Sequence, residues 1–304
     1  MARWTTSDIP SQAGRSAVVT GTGGLGLETA LQLAKAGGDV IIAGRNPQKG
    51  ADAIARIQEA APRAKICFAH VDLADLASIE QFAARLARQT DRLDLLINNA
   101  GVMVPPSRQV TSDGFELQLG TNYLGHFALT ARLLPLLRSG QQPRVISLSS
   151  VAARSGAIDF ADLNAEADYK PMPVYSQSKL ACLMFALELQ RRSTAAGWNL
   201  TSIAAHPGVS RTDLLHNGPG RWSAPGLART LLPFLFQPVP QGALPTLYAA
   251  TASDAVPGGY YGPDRLGETR GYPAPAQIPS AAADPAAATR LWEVSEALTG
   301  TTLR

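Results

Sequence analysis

The sequence predicts an α/β protein: a single-domain, Rossmann-like, doubly wound parallel sheet with helices on both faces. Short apolar runs of strand length alternate with longer segments of helical periodicity throughout residues 15–208. A glycine-rich loop follows the first apolar run and opens the first helical segment. Polar and glycine residues recur directly after the apolar runs, which is where such sheets bind ligands.

The strands and helices alternate in the order that a parallel sheet requires. The first strand covers residues 16–20, and the helix after the glycine loop ends at Gly37-Gly38. The later segments that we predict are strand 40–43, helix 47–60, strand 66–71, helix 75–88, strand 93–97, helix 112–138, strand 144–150, helix 174–196 and strand 200–205.

Composition limits the classes of protein to consider. Of the 304 residues, 45% are hydrophobic and 17% are charged, which indicates a folded chain with a sizeable core. The net charge of +3, without a basic run interleaved with aromatic residues, argues against a nucleic-acid partner. No apolar run approaches the roughly 18 residues of a transmembrane helix, and the N-terminus lacks a signal-peptide core, so we expect a cytoplasmic protein.

The cysteines and histidines show no metal-binding pattern. Cys67 and Cys182 lie far apart in apolar periodic segments, and we interpret them as buried thiols of a reducing compartment rather than a disulfide. The four histidines lack metal-ligand spacing and there is no Cys-x-x-Cys motif, so no metal site is expected.

The glycine loop has the context of a dinucleotide site, because it lies between a buried strand and a helix. Its glycines would let backbone N–H groups approach a pyrophosphate at the positive end of the helix, although a plain tight turn is the alternative. The loop consists of Gly21, Thr22, Gly23, Gly24, Leu25 and Gly26.

The residues after the second strand, Gly44-Arg45-Asn46, indicate which dinucleotide binds. A carboxylate there would accept the ribose hydroxyls of NAD, but this chain carries Arg45, which suits the 2′-phosphate of NADP. We therefore favour NADP(H), with NAD as the alternative. A solvent-exposed arginine that begins the next helix would give the same pattern.

A tyrosine and a lysine four residues apart, Tyr175 and Lys179, predict acid/base chemistry. At this spacing the two side chains share one face of a helix. An ammonium that close to a phenol favours the phenolate, which suits proton exchange near neutral pH. A solvated surface pair is the alternative interpretation.

The C-terminal third departs from the alternating pattern. Residues 209–240 mix large apolar side chains with glycine and proline, which suggests a substrate lid, a subunit contact or a membrane-touching helix. Residues 262–304 are expected to form an irregular extension, rich in proline, glycine and alanine over 262–285, with a final helix at 286–298. No internal repeat or linker divides residues 1–304, so we expect one domain.

Taken in order, these motifs resemble the short-chain dehydrogenase/reductase superfamily over residues 15–262. The match also includes Asp72, Asn98-Asn99-Ala100-Gly101, Asn122, Ser150 and Pro207-Gly208-x-x-x-Thr212. The retinol-dehydrogenase and protochlorophyllide-reductase-like branch looks most similar, partly because Ser150 and Tyr175 are 25 residues apart.

The resemblance implies a catalytic role for each of four residues. Tyr175 would exchange a proton with the substrate oxygen, and Ser150 would hydrogen-bond that oxygen. Lys179 would assist Tyr175 and hold the nicotinamide ribose, while Asn122 would seat a water in the proton relay.

The resemblance also extends the cofactor site beyond the glycine loop. Asp72, with Leu73, would border the adenine, and Asn99, Ala100 and Gly101 would pack along the cofactor. Pro207, Gly208 and Thr212 complete the expected set, with Thr212 holding the carboxamide.

Two departures from the family pattern stand out. The stretch Thr20-Gly21-Thr22-Gly23-Gly24-Leu25-Gly26 is one residue shorter than the usual loop, and it lacks the basic residue of many NADP-preferring members. Cys182 occupies a position where the branch usually has asparagine.

We therefore expect an NADP(H)-dependent oxidoreductase that interconverts a carbonyl and an alcohol on a fairly apolar small molecule. Reduction of a carbon–carbon double bond, with Tyr175 protonating carbon, is one alternative; a non-catalytic nicotinamide-binding regulator is another. A homo-oligomer, paired through helices 112–138 and 174–196, is also expected.

Overall fold

The computed structural model describes residues 3–210 and 237–303, and all the helices and strands named below belong to those ranges. The strands are β1 (Ser16–Thr20), β2 (Asp39–Gly44), β3 (Ile66–His70), β4 (Leu95–Asn98), β5 (Arg144–Leu148), β6 (Thr201–Ala205), β7 (Tyr260–Arg265) and β8 (Arg270–Pro275). The helices are α1 (Gly24–Lys35), α2 (Pro47–Ala60), α3 (Leu76–Ala87), α4 (Leu117–Leu119), α5 (Gly125–Arg138), α6 (Pro171–Ala196), α7 (Val239–Thr251) and α8 (Pro285–Thr299).

The eight strands form one sheet in the order β3-β2-β1-β4-β5-β6-β7-β8. Neighbouring strands are parallel from β3 to β7, and β8 runs antiparallel to β7. In the register of the central strands, Val18 lies between Ile41 of β2 and Leu96 of β4. The direction of strand addition reverses between β1 and β4, so their carboxyl ends border a crevice. The predicted doubly wound α/β class is confirmed.

Alternate side chains of the strands enter two hydrophobic cores, one on each face of the sheet. Helices α3, α5, α6 and α8 cover one face, where they pack against residues such as Val18 and Leu96. Helices α1, α2 and α7 cover the other face, where they pack against residues such as Val19 and Ile97. This alternation explains why the central strands are apolar throughout.

The expectation that residues 262–285 are irregular is wrong for the first half of that stretch, because β7 and β8 form a hairpin there. Prolines hid the hairpin, since a proline lacks the N–H group that a sheet interior needs. Pro263 and Pro273 lie opposite each other where the ladder is irregular, and β8 is an edge strand. The expected final helix is confirmed as α8.

The helix predicted over 112–138 begins later than expected. Val110 and Glu116 first form an antiparallel bridge, and α4 begins at Leu117. A π-helical segment, Gly120–Leu124, then joins α4 to α5. The predicted helix over 47–60 is confirmed as α2, where the Asn46 side chain caps the first turn.

Cys67 is exposed rather than buried, because β3 is an edge strand. Cys182 is buried within α6, and both cysteines are free thiols as expected. Among the described residues, no helix is both long enough and apolar enough to cross a bilayer. Most of the candidate lid, residues 209–240, lies outside the described ranges. The homo-oligomer stays a prediction.

The C-terminal helix α8 is held to the sheet by an aromatic cluster. Trp292 is almost fully buried and meets Phe127 edge to face, with ring centroids 5.1 Å apart. It also stacks on Phe185 at 5.8 Å, and the Arg192 guanidinium lies 4.4 Å from its ring. Trp292 therefore connects α8 to both α5 and α6.

Truncation of this side chain should destabilise the whole domain. We expect Trp292→Ala to lower the free energy of unfolding by about 3–5 kcal/mol, since it leaves a large cavity. Trp292→Phe is the matched control and should cost far less, because the buried indole N–H has no hydrogen-bond partner among the described residues. Denaturant-induced unfolding measures both. An equal loss in the two variants would contradict a packing role.

Candidate active site

The glycine loop is a tight connection that only glycine can make at two positions. Strand β1 ends at Thr20 and α1 begins at Gly24. Gly21 has a φ of +101°, in the left-handed region that favours glycine. A Cβ on Gly26 would lie 2.5 Å from the Gly21 carbonyl oxygen. The shortened loop therefore still brings bare backbone to the N-terminus of α1, whose first N–H groups lack intrahelical acceptors.

One hydroxyl connects this loop to the end of β4. The Thr20 Oγ1 accepts hydrogen bonds from the backbone N–H groups of Asn99 at 2.9 Å and Ala100 at 3.0 Å. In return, the Asn99 side-chain amide donates to the Thr20 carbonyl at 2.7 Å. The crevice at the strand-order reversal is thus closed at its base by side-chain hydrogen bonds.

A buried histidine holds that hydroxyl in place. His126 Nδ1 lies 2.9 Å from the Asn122 carbonyl oxygen, which can only accept, so Nδ1 carries the proton. Its Nε2 lies 2.9 Å from the Thr20 hydroxyl and can accept that group's hydrogen, for which the Ile97 carbonyl at 3.2 Å is a second acceptor. Burial lowers the pKa of His126 to about 4, so the ring is neutral at physiological pH. Sequence reasoning missed this role, because His126 and Thr20 are 106 residues apart.

A cavity of about 490 Å³ lies in front of the glycine loop. Its lining combines the glycine loop, the residues that follow β4, Lys179 and one face of α2. These described residues are Gly21, Thr22, Gly23, Gly24, Leu25, Leu27, Lys49, Asp52, Ala53, Arg56, Asn99, Ala100, Gly101 and Lys179. Most of the predicted cofactor residues therefore meet at one cavity.

This lining omits seven of the described residues that we predict for the cofactor site: Gly26, Arg45, Asp72, Leu73, Tyr175, Pro207 and Gly208. Arg45 is exposed one residue beyond β2, and Leu73 is buried. The Asp72 carboxylate accepts a hydrogen bond from the Ala74 N–H at 3.0 Å. Thr212 lies outside the described residues.

Helix α2 contributes basic side chains that sequence reasoning missed. Lys49 and Arg56 line the cavity together with Asp52 and Ala53. Their spacing along α2 is i, i+3, i+4 and i+7, which places all four on one helical face. That periodicity was a readable signal, but the direction of the face depended on how α2 packs.

Lys179 is buried and fixed beside Tyr175. Its Nζ donates to the Leu148 carbonyl at 3.1 Å and lies 6.0 Å from the centroid of the Tyr175 ring. Both residues are 5% exposed. The Ser149 hydroxyl donates to the Lys179 carbonyl at 2.8 Å, which fastens α6 to the end of β5. The pair is therefore an interior feature and not a solvated surface pair.

Asn122 lies in the π-helical segment, a departure from α-helical geometry that is frequent at functional sites. Its side-chain oxygen accepts from the Val102 N–H at 2.7 Å, and its amide donates to the Ser178 hydroxyl at 3.0 Å. The Asn122 carbonyl also accepts from the Cys182 thiol at 3.2 Å. Burial raises the pKa of Cys182, which keeps this thiol protonated as a donor. The cysteine that departs from the family pattern thus serves as a hydrogen-bond donor to Asn122.

A second cavity, of about 260 Å³, is mainly apolar and shares Leu25 with the first. Ser150 and Tyr175 line it, so two of the predicted catalytic residues face one space. Among the residues that the structure describes, the lining consists of Leu25, Met103, Ser149, Ser150, Val151, Ala152, Met172, Tyr175, Pro207, Gly208, Val209 and Ser210. Met103 and Met172 were not predicted from the sequence, because one lies in a loop and the other at the start of α6, where no periodic pattern marks a residue.

This arrangement defines a class of protein: a dinucleotide-dependent oxidoreductase with a Tyr–Lys pair at the carboxyl edge of a parallel sheet. Comparison with known sequences gives the family. Residues 15–219 match the short chain dehydrogenase family. The chain belongs to this family and is an NAD(P)-dependent short-chain dehydrogenase/reductase.

Similar proteins include two named dehydrogenases. Human (Homo sapiens) retinol dehydrogenase 13 is 40% identical over 301 residues, which cover 96% of this chain and 87% of that protein. Polyprenol dehydrogenase of Mus musculus is 41% identical over 251 residues, which cover 81% of this chain and 74% of that protein. An uncharacterized protein of Mycobacterium paratuberculosis has a crystal structure with a TM-score of 0.82 and 40% identity, with 100% of both chains covered. The relatives' names support carbonyl–alcohol interconversion in general.

Removal of the Thr20 hydroxyl should damage the dinucleotide site. In Thr20→Val, the Ala100 N–H loses its acceptor and the Asn99 N–H keeps only the Ile97 carbonyl, so we expect the Kd for the dinucleotide to rise about tenfold or more. Thr20→Ser keeps the acceptor and should bind almost as tightly as the wild type. Titration of nicotinamide fluorescence measures both variants. Wild-type affinity in the valine variant would disprove the assigned role.

Proposed function

We propose that the protein is an NADP(H)-dependent oxidoreductase that interconverts a ketone or aldehyde and the corresponding alcohol, with Tyr175 as the general acid/base. One observation carries the proposal. Tyr175 and Ser150 line the apolar cavity, whereas Lys179, close to the Tyr175 ring, lines the glycine-loop cavity. A substrate and a dinucleotide in these adjoining cavities would meet at this pair.

The residues of the larger cavity fit a nicotinamide dinucleotide. Gly21, Gly23 and Gly24 line this cavity, and bare backbone there suits a pyrophosphate. Gly101 lines the same cavity, and a Cβ on it would lie 3.0 Å from the Asn122 side-chain oxygen, a tight contact. The bound cofactor would supply or accept the hydride, and the protein would supply placement and proton handling.

In the reductive direction, two hydroxyl groups would act on the substrate oxygen. Ser150 would donate a hydrogen bond to the carbonyl, and Tyr175 would transfer its proton to the same oxygen as negative charge develops there. Lys179 would stabilise the phenolate that remains, because its ammonium is held near the ring by the Leu148 carbonyl. In the oxidative direction Tyr175 would take the proton back.

The lining of the smaller cavity supports an apolar substrate. Leu25, Met103, Val151 and Met172 surround the two hydroxyl groups. Methionine side chains are flexible and adapt to apolar ligands of different shapes. Two relatives are named for the alcohols retinol and polyprenol, which agrees with alcohol oxidation or carbonyl reduction as the reaction.

Charge supports NADP(H) as the cofactor. Arg45 follows β2 directly, and Lys49 extends from the first turn of α2 into the larger cavity. Two cations on this side of the glycine loop suit the additional phosphate of NADP. Lys49 therefore joins Arg45 as a proposed phosphate ligand, and the two would replace the basic residue that the glycine loop lacks.

Replacement of the catalytic hydroxyl tests the mechanism. We expect Tyr175→Phe to reduce kcat by at least about a hundredfold on every ketone, aldehyde or alcohol that the wild type accepts, because the proton donor is lost. NADPH should still bind with a Kd within about twofold of wild type. Steady-state rates and a binding titration give the two values. Retained turnover would remove Tyr175 from the mechanism.

Replacement of the basic residues tests the cofactor preference. We expect Arg45→Ala and Lys49→Ala each to raise the Kd for NADPH about tenfold and to leave NADH binding nearly unchanged, because only NADPH carries the 2′-phosphate. Lys35→Ala, an exposed lysine at the far end of α1, is the charge-matched control. Equal losses for NADPH and NADH would contradict phosphate recognition by these residues.

A further inference from the structure

A second buried histidine lies beside the apolar cavity, and its hydrogen bonds determine its tautomer. His206 follows β6 and is fully buried. Its Nδ1 accepts from the Gly208 N–H at 3.2 Å, and its Nε2 lies 2.9 Å from the Glu268 carboxylate. Because a backbone N–H can only donate, Nδ1 is unprotonated, and Nε2 carries the hydrogen that Glu268 accepts.

Glu268 lies in the turn between β7 and β8 and is held by several groups. The Arg154 guanidinium contacts its Oε2 at 2.6 Å, and the Gln277 N–H donates to its Oε1 at 2.9 Å. Its φ of +66° is unusual for a residue with a side chain, so these contacts hold a strained turn. Burial raises the pKa of Glu268, but the hydrogen bonds from His206 and Gln277 and the charge of Arg154 outweigh burial and bring it to about 2.

The same turn also contacts the wall of the apolar cavity directly. The Val209 N–H donates to the Thr269 carbonyl at 2.8 Å. Gly208 has a φ of +62°, and a Cβ there would lie 2.4 Å from that carbonyl oxygen. Pro207, Gly208 and Val209 are part of the cavity lining. Their conformation therefore depends on the position of the turn and on the acceptor that His206 presents.

Arg154 connects Glu268 to a second part of the apolar cavity's wall. It belongs to the short helical segment Val151–Ser155, which the Ser150 side chain caps. Val151 and Ala152 line the cavity with Ser150, and the Arg154 guanidinium also donates to the Gly267 carbonyl at 3.0 Å. The turn between β7 and β8 therefore contacts both parts of the cavity wall, residues 207–209 directly and residues 150–152 through Arg154.

We propose that Arg154, Glu268 and His206 act as positioning residues that hold Gly208 against the substrate cavity and so determine the KM for the substrate. The carboxylate selects the His206 tautomer, and the free Nδ1 lone pair then holds the Gly208 N–H. This inference rests on the proposed carbonyl–alcohol chemistry, which it extends from the reacting oxygen to recognition of the substrate. His206 faces Glu268 and the Tyr260 ring, whose centroid is 5.2 Å away, and Arg154 lies beyond Glu268.

Substitution of Glu268 separates substrate recognition from catalysis. We expect Glu268→Ala to raise the substrate KM about tenfold while kcat and the Kd for NADPH stay within about twofold of wild type. Asp264→Ala is the matched control on the same hairpin, since Asp264 accepts from the Tyr272 N–H and pairs with Arg265 instead. A KM unchanged in Glu268→Ala, or raised equally in both variants, would overturn the proposal.

Two substitutions of His206 test which ring nitrogen matters. Asparagine places an oxygen near the Nδ1 position and can still accept from Gly208, whereas glutamine reaches the Nε2 position and can still donate to Glu268. We expect His206→Asn to keep the KM within about threefold of wild type and His206→Gln to raise it about tenfold. The reverse order would show that the Gly208 hydrogen bond is not the feature that sets KM.

A spectroscopic measurement decides the question without turnover. Nitrogen-15 shifts of the His206 ring should report the Nε2–H tautomer in wild type and in Glu268→Gln, which keeps an acceptor oxygen, and a mixture in Glu268→Ala. The Gly208 amide should exchange with solvent about tenfold faster in Glu268→Ala alone. An unchanged tautomer and unchanged exchange would overturn the positioning role. If wild type reduces no carbonyl, the proposed function fails while this measurement still tests the cluster.

Discussion

The hydrogen bonds of the Thr20 hydroxyl are the constraint on which the cleft depends. This group lies where strand order reverses, and it satisfies two backbone N–H groups at the end of β4. At this edge the chain leaves the sheet, so no ladder partner is available for those N–H groups. His126 supplies the acceptor that orients the hydroxyl, and the glycine loop starts from the same residue. Side-chain hydrogen bonds therefore fix the base of the cleft, and the backbone of the glycine loop forms its wall.

Helix α6 joins the two cavities because its Tyr175 and Lys179 lie one turn apart and face different spaces. Burial of a lysine is costly unless its ammonium finds an acceptor, and the Leu148 carbonyl at the end of β5 provides one. The Ser149 hydroxyl holds the helix to the same strand end. The position of the Tyr175–Lys179 pair is thus fixed by the sheet.

The elements that could be predicted are those with strong local signals. Helices α2 and α8 begin with a capping side chain, Asn46 or Asp284, followed by proline, so their starts are readable. The hairpin β7–β8 was missed because its prolines are tolerated only at irregular or edge positions, which depend on the neighbouring strands. The late start of the helix after Glu116 was missed for a similar reason, since the bridge to Val110 is a feature of the folded chain.

Local spacing alone determined the alternation of strands and helices, the position of the glycine loop and the pairing of Tyr175 with Lys179, because all of these repeat within a few residues. Tertiary structure alone decided the partners of the two buried histidines, which lie 106 and 62 residues away along the chain. It also decided that Lys49 lines the larger cavity while Arg45 lies outside that lining. Such contacts arise from how helices dock on the sheet, and no local pattern encodes the docking.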